Sequence, residues 1–282
     1  MRRFRGDGVV SLTLIHSTCP NDTFVFHAWS HGLIPGAPAV AVRYADVDIS
    51  NDLAKAGTGD VVKISFAALP WILDQYSLLP CGGAMGRGCG PLILTRENRE
   101  LKHARVAIPG ELTTAYLLFK LYSAGIPLGK VDVLPFSKIM PAVAAGEYDA
   151  GLVIHEARFT YAAHGLNCLA DLGAWWELQS GLPIPLGAIV CRRTLDPKPI
   201  ANAIRQSVEQ AWAHPEISRA YVMKHAQEME PSVVDAHIGL YVNASTRQMT
   251  EQDGAAVGEL LKRAGFPDAA EKAQRDLRAA KN

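Results

Sequence analysis

The chain of 282 residues has no C-x-x-C pair, no surplus of either charge and no apolar run long enough to cross a bilayer. Each absence removes a class of protein. The five cysteines, Cys19, Cys81, Cys89, Cys168 and Cys191, are odd in number and unpaired in spacing. That argues against a disulfide framework and predicts reduced thiols in a cytoplasmic protein. Basic and acidic residues balance at 28 each, so nothing points to nucleic acid or a membrane surface as partner. The N-terminus begins basic, but Ser11, Thr13 and His16 interrupt the only apolar stretch that follows, and no signal peptide is expected. Internal repeats and low-complexity tracts are also lacking.

Hydrophobic residues at 49% and charged ones at 20% suit a compact soluble protein. The length sits at the upper limit for one core and predicts two lobes. Along the chain, strand-then-helix units repeat. Strands are expected over Val9 to His16, Ala39 to Arg43 and Asp60 to Ile64, with a helix from Pro20 to Trp29 capped by Asn21 or Asp22. A second helix is expected near Ser50 to Ala56, stopping at Gly57. A second series runs through Arg105 to Ile108, a helix from Thr114 to Ala124, Val131 to Leu134, a helix over Lys138 to Ala145, and a strand ending at His155. Apolar strands at Pro91 to Leu94 and Pro183 to Val190 join the series. Helices follow over Ile200 to Ala213, Pro215 to Glu228, Val233 to Tyr241 and Glu251 to Ala264. Such alternation implies largely parallel sheets. The expected architecture is two α/β lobes with two crossing strands: residues 1–92 plus 188–282 in one lobe and 93–187 in the other. A cleft between lobes is a natural ligand site.

The richest segment is Gly151-Leu-Val-Ile-His155-Glu-Ala-Arg158-Phe-Thr-Tyr161. It delivers a histidine at a strand end, where open α/β sheets gather ligands. His155 has two readings, a structural cap of the next element or a proton carrier near neutral pH. Thr113-Thr114-Ala115 opens a helix after Pro109-Gly110, so free N–H groups and hydroxyls could hold an anion, or merely cap. Lys63-Ile64-Ser65 repeats that design at another strand end. Lys63 needs a reason to sit in an apolar run, and an edge strand facing solvent would supply one.

Other motifs fail. The glycines at 82, 83, 86, 88 and 90 match neither a Walker loop nor G-x-G-x-x-G and suit close backbone approach or a bend. His155-Glu156 lacks the second histidine of a zinc helix, His27 and His31 lack a third ligand, and no metal site is expected. Cys19 sits near a helix start without an identifiable partner base. Trp175 and Trp176 could line an aromatic pocket or simply pack. Apolar residues of the C-terminal helices could form a homodimer contact or serve the core.

Six blocks in order carry a resemblance: Cys19-Pro-Asn-Asp-Thr-Phe24; Asp60 to Ser65; Gly83 to Leu92; Pro109-Gly110 with Thr113 to Tyr116; Ile154 to Tyr161; and Asp171 to Glu177 with Gly181 to Gly187. On these the chain resembles the 1,4-dihydroxy-6-naphthoate synthase family of menaquinone biosynthesis. It departs at Thr18, where the family has proline, and at Ser50-Asn51-Asp52-Leu53, which is shorter than the family's segment, so no contact from residues 48–53 is carried over. The resemblance implies a two-lobed periplasmic-binding-protein-like fold of type 2 without a periplasmic location. It implies a lyase acting on cyclic dehypoxanthine futalosine, a small-molecule substrate, with His155 as general base. Substrate contacts are implied from Lys63, Ile64 and Ser65 and from the region of Thr113, Thr114 and Ala115, with no cofactor. Two alternatives stand beside it: a chorismate dehydratase-like enzyme of the same pathway, and a non-catalytic binding protein of the same fold.

Overall fold

The computed structural model describes residues 11–97, 99–226 and 230–280. The start of the expected first strand, Val9 and Val10, and the end of the helix expected to reach Glu228 lie outside them. The first series comprises β1 (Leu12–His16), α1 (Pro20–Ser30), β2 (Val40–Tyr44), α2 (Val47–Lys55), β3 (Val61–Ser65), a 3-10 turn over Phe66–Trp71 and β4 (Tyr76–Gly86). The second comprises β5 (Leu92–Thr95), β6 (Val106–Ile108), α3 (Thr114–Tyr122), β7 (Val131–Val133), α4 (Phe136–Ala144), β8 (Ala150–Val153), α5 (Ala157–Thr160), β9 (Asn167–Asp171) and α6 (Leu172–Ser180). Strand β10 (Ile184–Arg192) returns, and α7 (Pro197–Ala213), α8 (Pro215–His225), α9 (Pro231–Tyr241), α10 (Ala244–Arg247), α11 (Glu251–Arg263) and α12 (Pro267–Ala279) follow.

Two five-stranded sheets result, ordered β2-β1-β3-β10-β4 and β7-β6-β8-β5-β9. They are mixed rather than largely parallel. In each, one strand runs against the other four: β10 is antiparallel to β3 and β4, and β5 is antiparallel to β8 and β9. The reason is the crossing itself: a strand that arrives from the other lobe enters its sheet from the opposite end. The changeovers fall at 87–91 and 181–183, since β5 pairs in the second sheet from Leu92 and β10 in the first from Ile184. Residues 184–187, expected in the second lobe, therefore pair within the first sheet.

Local rules explain most of the elements. Pro20 opens α1 at a position whose N–H would be unused. The cap is Cys19, through its backbone, and not Asn21 or Asp22, whose side chains are turned to other partners. Helix α3 is capped by Thr113 Oγ1, which accepts from Tyr116 N at 3.2 Å. Strand β4 was hidden by Pro80, Gly82, Gly83 and Gly86, which read as punctuation. The strand tolerates them because it lies at the sheet edge, where a missing N–H costs no ladder bond. Gly83 is required there: a Cβ would stand 2.6 Å from the Gly187 carbonyl oxygen.

The C-terminal helices complete the first lobe. Ser207 on α7 donates to Val25 O at 2.6 Å and accepts from Trp29 N at 3.1 Å, pinning α7 across α1. On α12, Ala269, Ala270, Ala273 and Leu277 form the buried stripe, too weakly apolar to signal a helix in the sequence. One hydrophobic core runs through both lobes, from Ile64, Phe66 and Leu69 to Ile93, Phe119 and Trp176. Trp176 is fully buried and donates Nε1–H to Pro183 O at 3.0 Å, while Trp175 meets Tyr122 edge-on, so the tryptophan pair packs. No helix among the described residues is long and apolar enough to cross a membrane.

The crossing is tightest at Gly90, where a Cβ would stand 2.2 Å from the backbone nitrogen of Gly173. Gly90→Ala is expected to destabilise the fold by about 1–3 kcal/mol, because neither backbone can yield without separating β5 from α6. Urea denaturation of the variant against wild type checks this.

Candidate active site

The carboxyl ends of β1, β3 and β8 and the amino end of α3 converge on one cavity of about 720 Å³, including its open mouth. That size suits a small organic molecule. Its wall holds Ser17, Asn21, Asp22, Lys63 and Ser65 from the first lobe, and Thr113, Thr114, Ala115 and His155 from the second. Of the base and substrate-contact residues that the resemblance implies, only Ile64 is missing. Strand alternation sends Lys63 and Ser65 to the cavity and turns Ile64 into the core, where it is fully buried.

Lys63 is not an edge residue facing solvent. Strand β3 is central, and the Lys63 ammonium is buried in a salt bridge with Asp22. Asp22 also accepts from Ser17 Oγ at 2.7 Å and from Asn21 Nδ2 at 2.8 Å. Burial by itself would raise the Asp22 carboxyl, but Lys63, His16 and these hydrogen bonds outweigh it and leave the pKa below the ordinary value. A stable anion and cation therefore lie side by side at the floor of the cavity.

His155 follows β8 with φ +58, a left-handed conformation uncommon outside glycine. The turn swings its ring back against the first lobe, where Nδ1 lies 3.3 Å from Cys19 Sγ. Burial drives the imidazole down to about 4; Asp22 opposes this and Lys63 adds to it. His155 is therefore neutral throughout the physiological range. The Cys19 thiol, whose partner the sequence did not reveal, is pushed well above its ordinary value by burial and by Glu156 and Asp22. It is a thiol, not a thiolate nucleophile. Sulfur, ring nitrogen and carboxylate of Cys19, His155 and Glu156 lie within 4.8 Å of one another, donors of the kind zinc accepts. The raised thiol works against such binding, since only the thiolate ligates well.

Arg158 pairs with Asp171 rather than with Glu156, and donates to Gly88 O at 2.9 Å and Gly90 O at 3.2 Å. It braces the histidine segment against the crossing between lobes. Some expected ligand donors are spent internally. Ser65 N–H goes to Asn51 Oδ1 at 2.8 Å, and the Thr114 hydroxyl accepts from Ala67 N and donates to Leu186 O. Asn51 Nδ2 also donates to Ser65 Oγ at 3.1 Å and to Leu112 O at 3.3 Å, so the segment left without a role in the sequence reading clasps the two lobes. The N–H groups of Thr114 and Ala115, in the first turn of α3, lack intrahelical acceptors by geometry and lie at the cavity. Two further wall residues carried no sequence signal: His237 and Tyr241, at spacing four on α9. His27 and His31 stack on each other beside Tyr221, away from the cavity.

Fold and site define a class: a two-lobed α/β protein of periplasmic-binding-protein-like architecture, with titratable groups facing each other across the cleft. A Candida albicans protein described as having the generic periplasmic binding protein fold superimposes with a TM-score of 0.67 at 11% identity, covering 94% of this chain and 95% of its own. A protein of Archaeoglobus fulgidus superimposes with a TM-score of 0.86 at 33% identity, covering 90% and 97%. Residues 12–265 match the menaquinone biosynthesis family. The 1,4-dihydroxy-6-naphtoate synthase of Streptomyces coelicolor is 56% identical over 261 residues, covering 90% of this chain and 93% of its own, and that of Thermus thermophilus is 44% identical over 255 residues, covering 89% and 93%. The chain belongs to the menaquinone biosynthesis family.

Lys63→Met strands the Asp22 carboxylate in the interior and is expected to cost about 3–5 kcal/mol, measured by urea unfolding at neutral pH. His155, depressed to about 4, and His237, depressed to about 3, stay neutral when folded but take up protons near 6.5 when unfolded. Their contribution to stability is present above pH 6.5 and is lost as pH falls from 6.5 toward those values. The urea midpoint should drop across that window, and less so in a His155→Gln variant.

Proposed function

We propose that this protein is a 1,4-dihydroxy-6-naphthoate synthase, a carbon–carbon lyase acting on cyclic dehypoxanthine futalosine, with His155 as its general base. The observation that carries the reading is His155 itself, turned into the cleft by a left-handed backbone and kept unprotonated by burial. The two relatives of that name support the choice of product, and the substrate is the one that the family resemblance implies. Five free thiols fit a reducing, cytoplasmic setting.

The substrate joins a carboxylate-bearing aromatic ring to a partly saturated ring fused to a sugar-derived portion. Losing the sugar fragment leaves an aromatic naphthoate, so the reaction runs downhill once a proton is removed and the developing charge is held. When Nδ1–H of His155 donates to the Cys19 sulfur, Nε2 keeps its lone pair and removes that proton. The first-turn N–H groups of Thr114 and Ala115 receive an anionic oxygen of the substrate, aided by the helix dipole. Ser65 keeps a hydroxyl proton to donate, and the Lys63–Asp22 pair sets the field around the imidazole. Clasping of the lobes through Asn51 and Thr114 excludes water from the site.

The test is a product assay on purified protein with cyclic dehypoxanthine futalosine, reading the naphthoate by chromatography and mass. Wild type is expected to form product, and His155→Gln of unchanged circular dichroism to lose about 100- to 10,000-fold in kcat. Substrate returned intact by the wild type would leave a binding protein of this fold. The base is active above its pKa, so kcat/KM should stay level from neutrality down past pH 6.5 and fall only near pH 4. An acid limb at 6.5 would remove His155 as the titrating base.

A further inference from the structure

Two imidazoles, those of His155 and His237, line the cleft. The His237 ring, on α9, lies 6.5 Å from the His155 ring at an interplanar angle of 23°, and lines the same cavity while only 1% exposed. A chain of hydrogen bonds sets its tautomer. Asp22, held by Lys63, accepts from the Asn21 amide nitrogen at 2.8 Å, which prevents the Asn21 amide from flipping. The Asn21 oxygen is thereby presented to His237 Nε2, 2.9 Å away. An amide oxygen only accepts, so Nε2 carries the ring proton and Nδ1 carries a lone pair. Burial, reinforced by His155, keeps the ring neutral, with a pKa of about 3.

Nδ1 is itself buried and has no hydrogen-bond partner among the described residues. Folded proteins rarely leave such an acceptor unmet: a water, an ion or a bound ligand usually completes it, and this ring lines the cavity that a substrate would fill. A bare lone pair repels a carboxylate and accepts only from O–H or N–H. We propose that His237 Nδ1 is a substrate-binding acceptor that receives a hydrogen bond from a hydroxyl of the substrate's sugar-derived portion, setting specificity for a hydroxylated ligand. The inference rests on the functional reading above. It divides recognition between the lobes: α3 takes the anionic oxygens, and α9 takes the hydroxylated end.

The experiment is steady-state kinetics with cyclic dehypoxanthine futalosine on wild type, His237→Phe and His237→Asn. Phenylalanine keeps the ring and removes both nitrogens, whereas asparagine can place an acceptor near the Nδ1 position. His237→Phe is expected to raise KM by about tenfold or more, with kcat within about threefold and the acid limb unmoved; His237→Asn recovers part of the KM. As a second measurement, independent of any variant's folding, single-deoxy substrate analogues are compared on the wild type. One of them should bind about tenfold or more weakly than the parent compound. An unchanged KM in His237→Phe, or equal binding of every deoxy analogue, would overturn the assignment, leaving a packing residue. A collapse of kcat with constant KM and a displaced pH limb would overturn it too, in favour of proton transfer. Turnover by the wild type with His237→Phe indistinguishable removes this inference alone. Absence of turnover by the wild type removes the functional reading and this inference with it.

Discussion

The site is organised around two opposite charges taken out of water. Lys63 projects from a central strand, and Asp22 meets it from the first turn of α1. Such a pair persists in the interior only when its remaining lone pairs are also satisfied. Ser17 and Asn21 do this for Asp22, and in doing so both residues lose their freedom. The β1–α1 turn is thereby held at the cavity, and the Asn21 amide is oriented toward α9. Gly187 belongs to the same arrangement, since a Cβ there would approach Lys63 Cε to 3.2 Å. A charge pair in the floor thus dictates a small residue on the neighbouring strand.

The second constraint is the sharp turn after β8. A left-handed histidine is tolerated because what surrounds it is fixed: β8 on one side, and the Arg158 brace to Gly88 and Gly90 on the other. The gain is a ring that leaves its own lobe and contacts Cys19 on the other. On the proposed function, the ring that takes the proton is also the ring that joins the lobes. Any opening of the cleft would return the imidazole toward water and toward its ordinary basicity, so closure itself keeps His155 in its neutral form.

Much of the fold was legible because alternation of strand and helix survives in the apolar pattern: β1, β3, β6, β8 and the long C-terminal helices lie where the periodicity puts them. Strand β4 was not, because Pro80 and three glycines break the local signal, and only its edge position in the sheet makes them harmless. Helix α12 was not, because its buried stripe is three alanines and a single leucine. Within the site, Lys63, Ser65, the Thr113 to Ala115 turn and His155 could be found as polar residues at element ends. Asn51 and His237 could not, since their importance comes from partners 14 to 216 residues away. Cys19 looked like an isolated thiol for the same reason: its partner is 136 residues distant.

The sequence by itself determined the two-series α/β architecture, the family blocks and the strand-end positions of the chemical groups, because these depend on periodicity and near neighbours. Tertiary structure alone decided which of those groups meet, which are charged and which donors remain free. Lys63 became a buried cation instead of an edge guard, the Thr114 hydroxyl became a clasp, and two histidines became neutral acceptors. Protonation and hydrogen-bond supply are set by burial and by partners brought from distant segments, and neither exists until the two lobes are packed together.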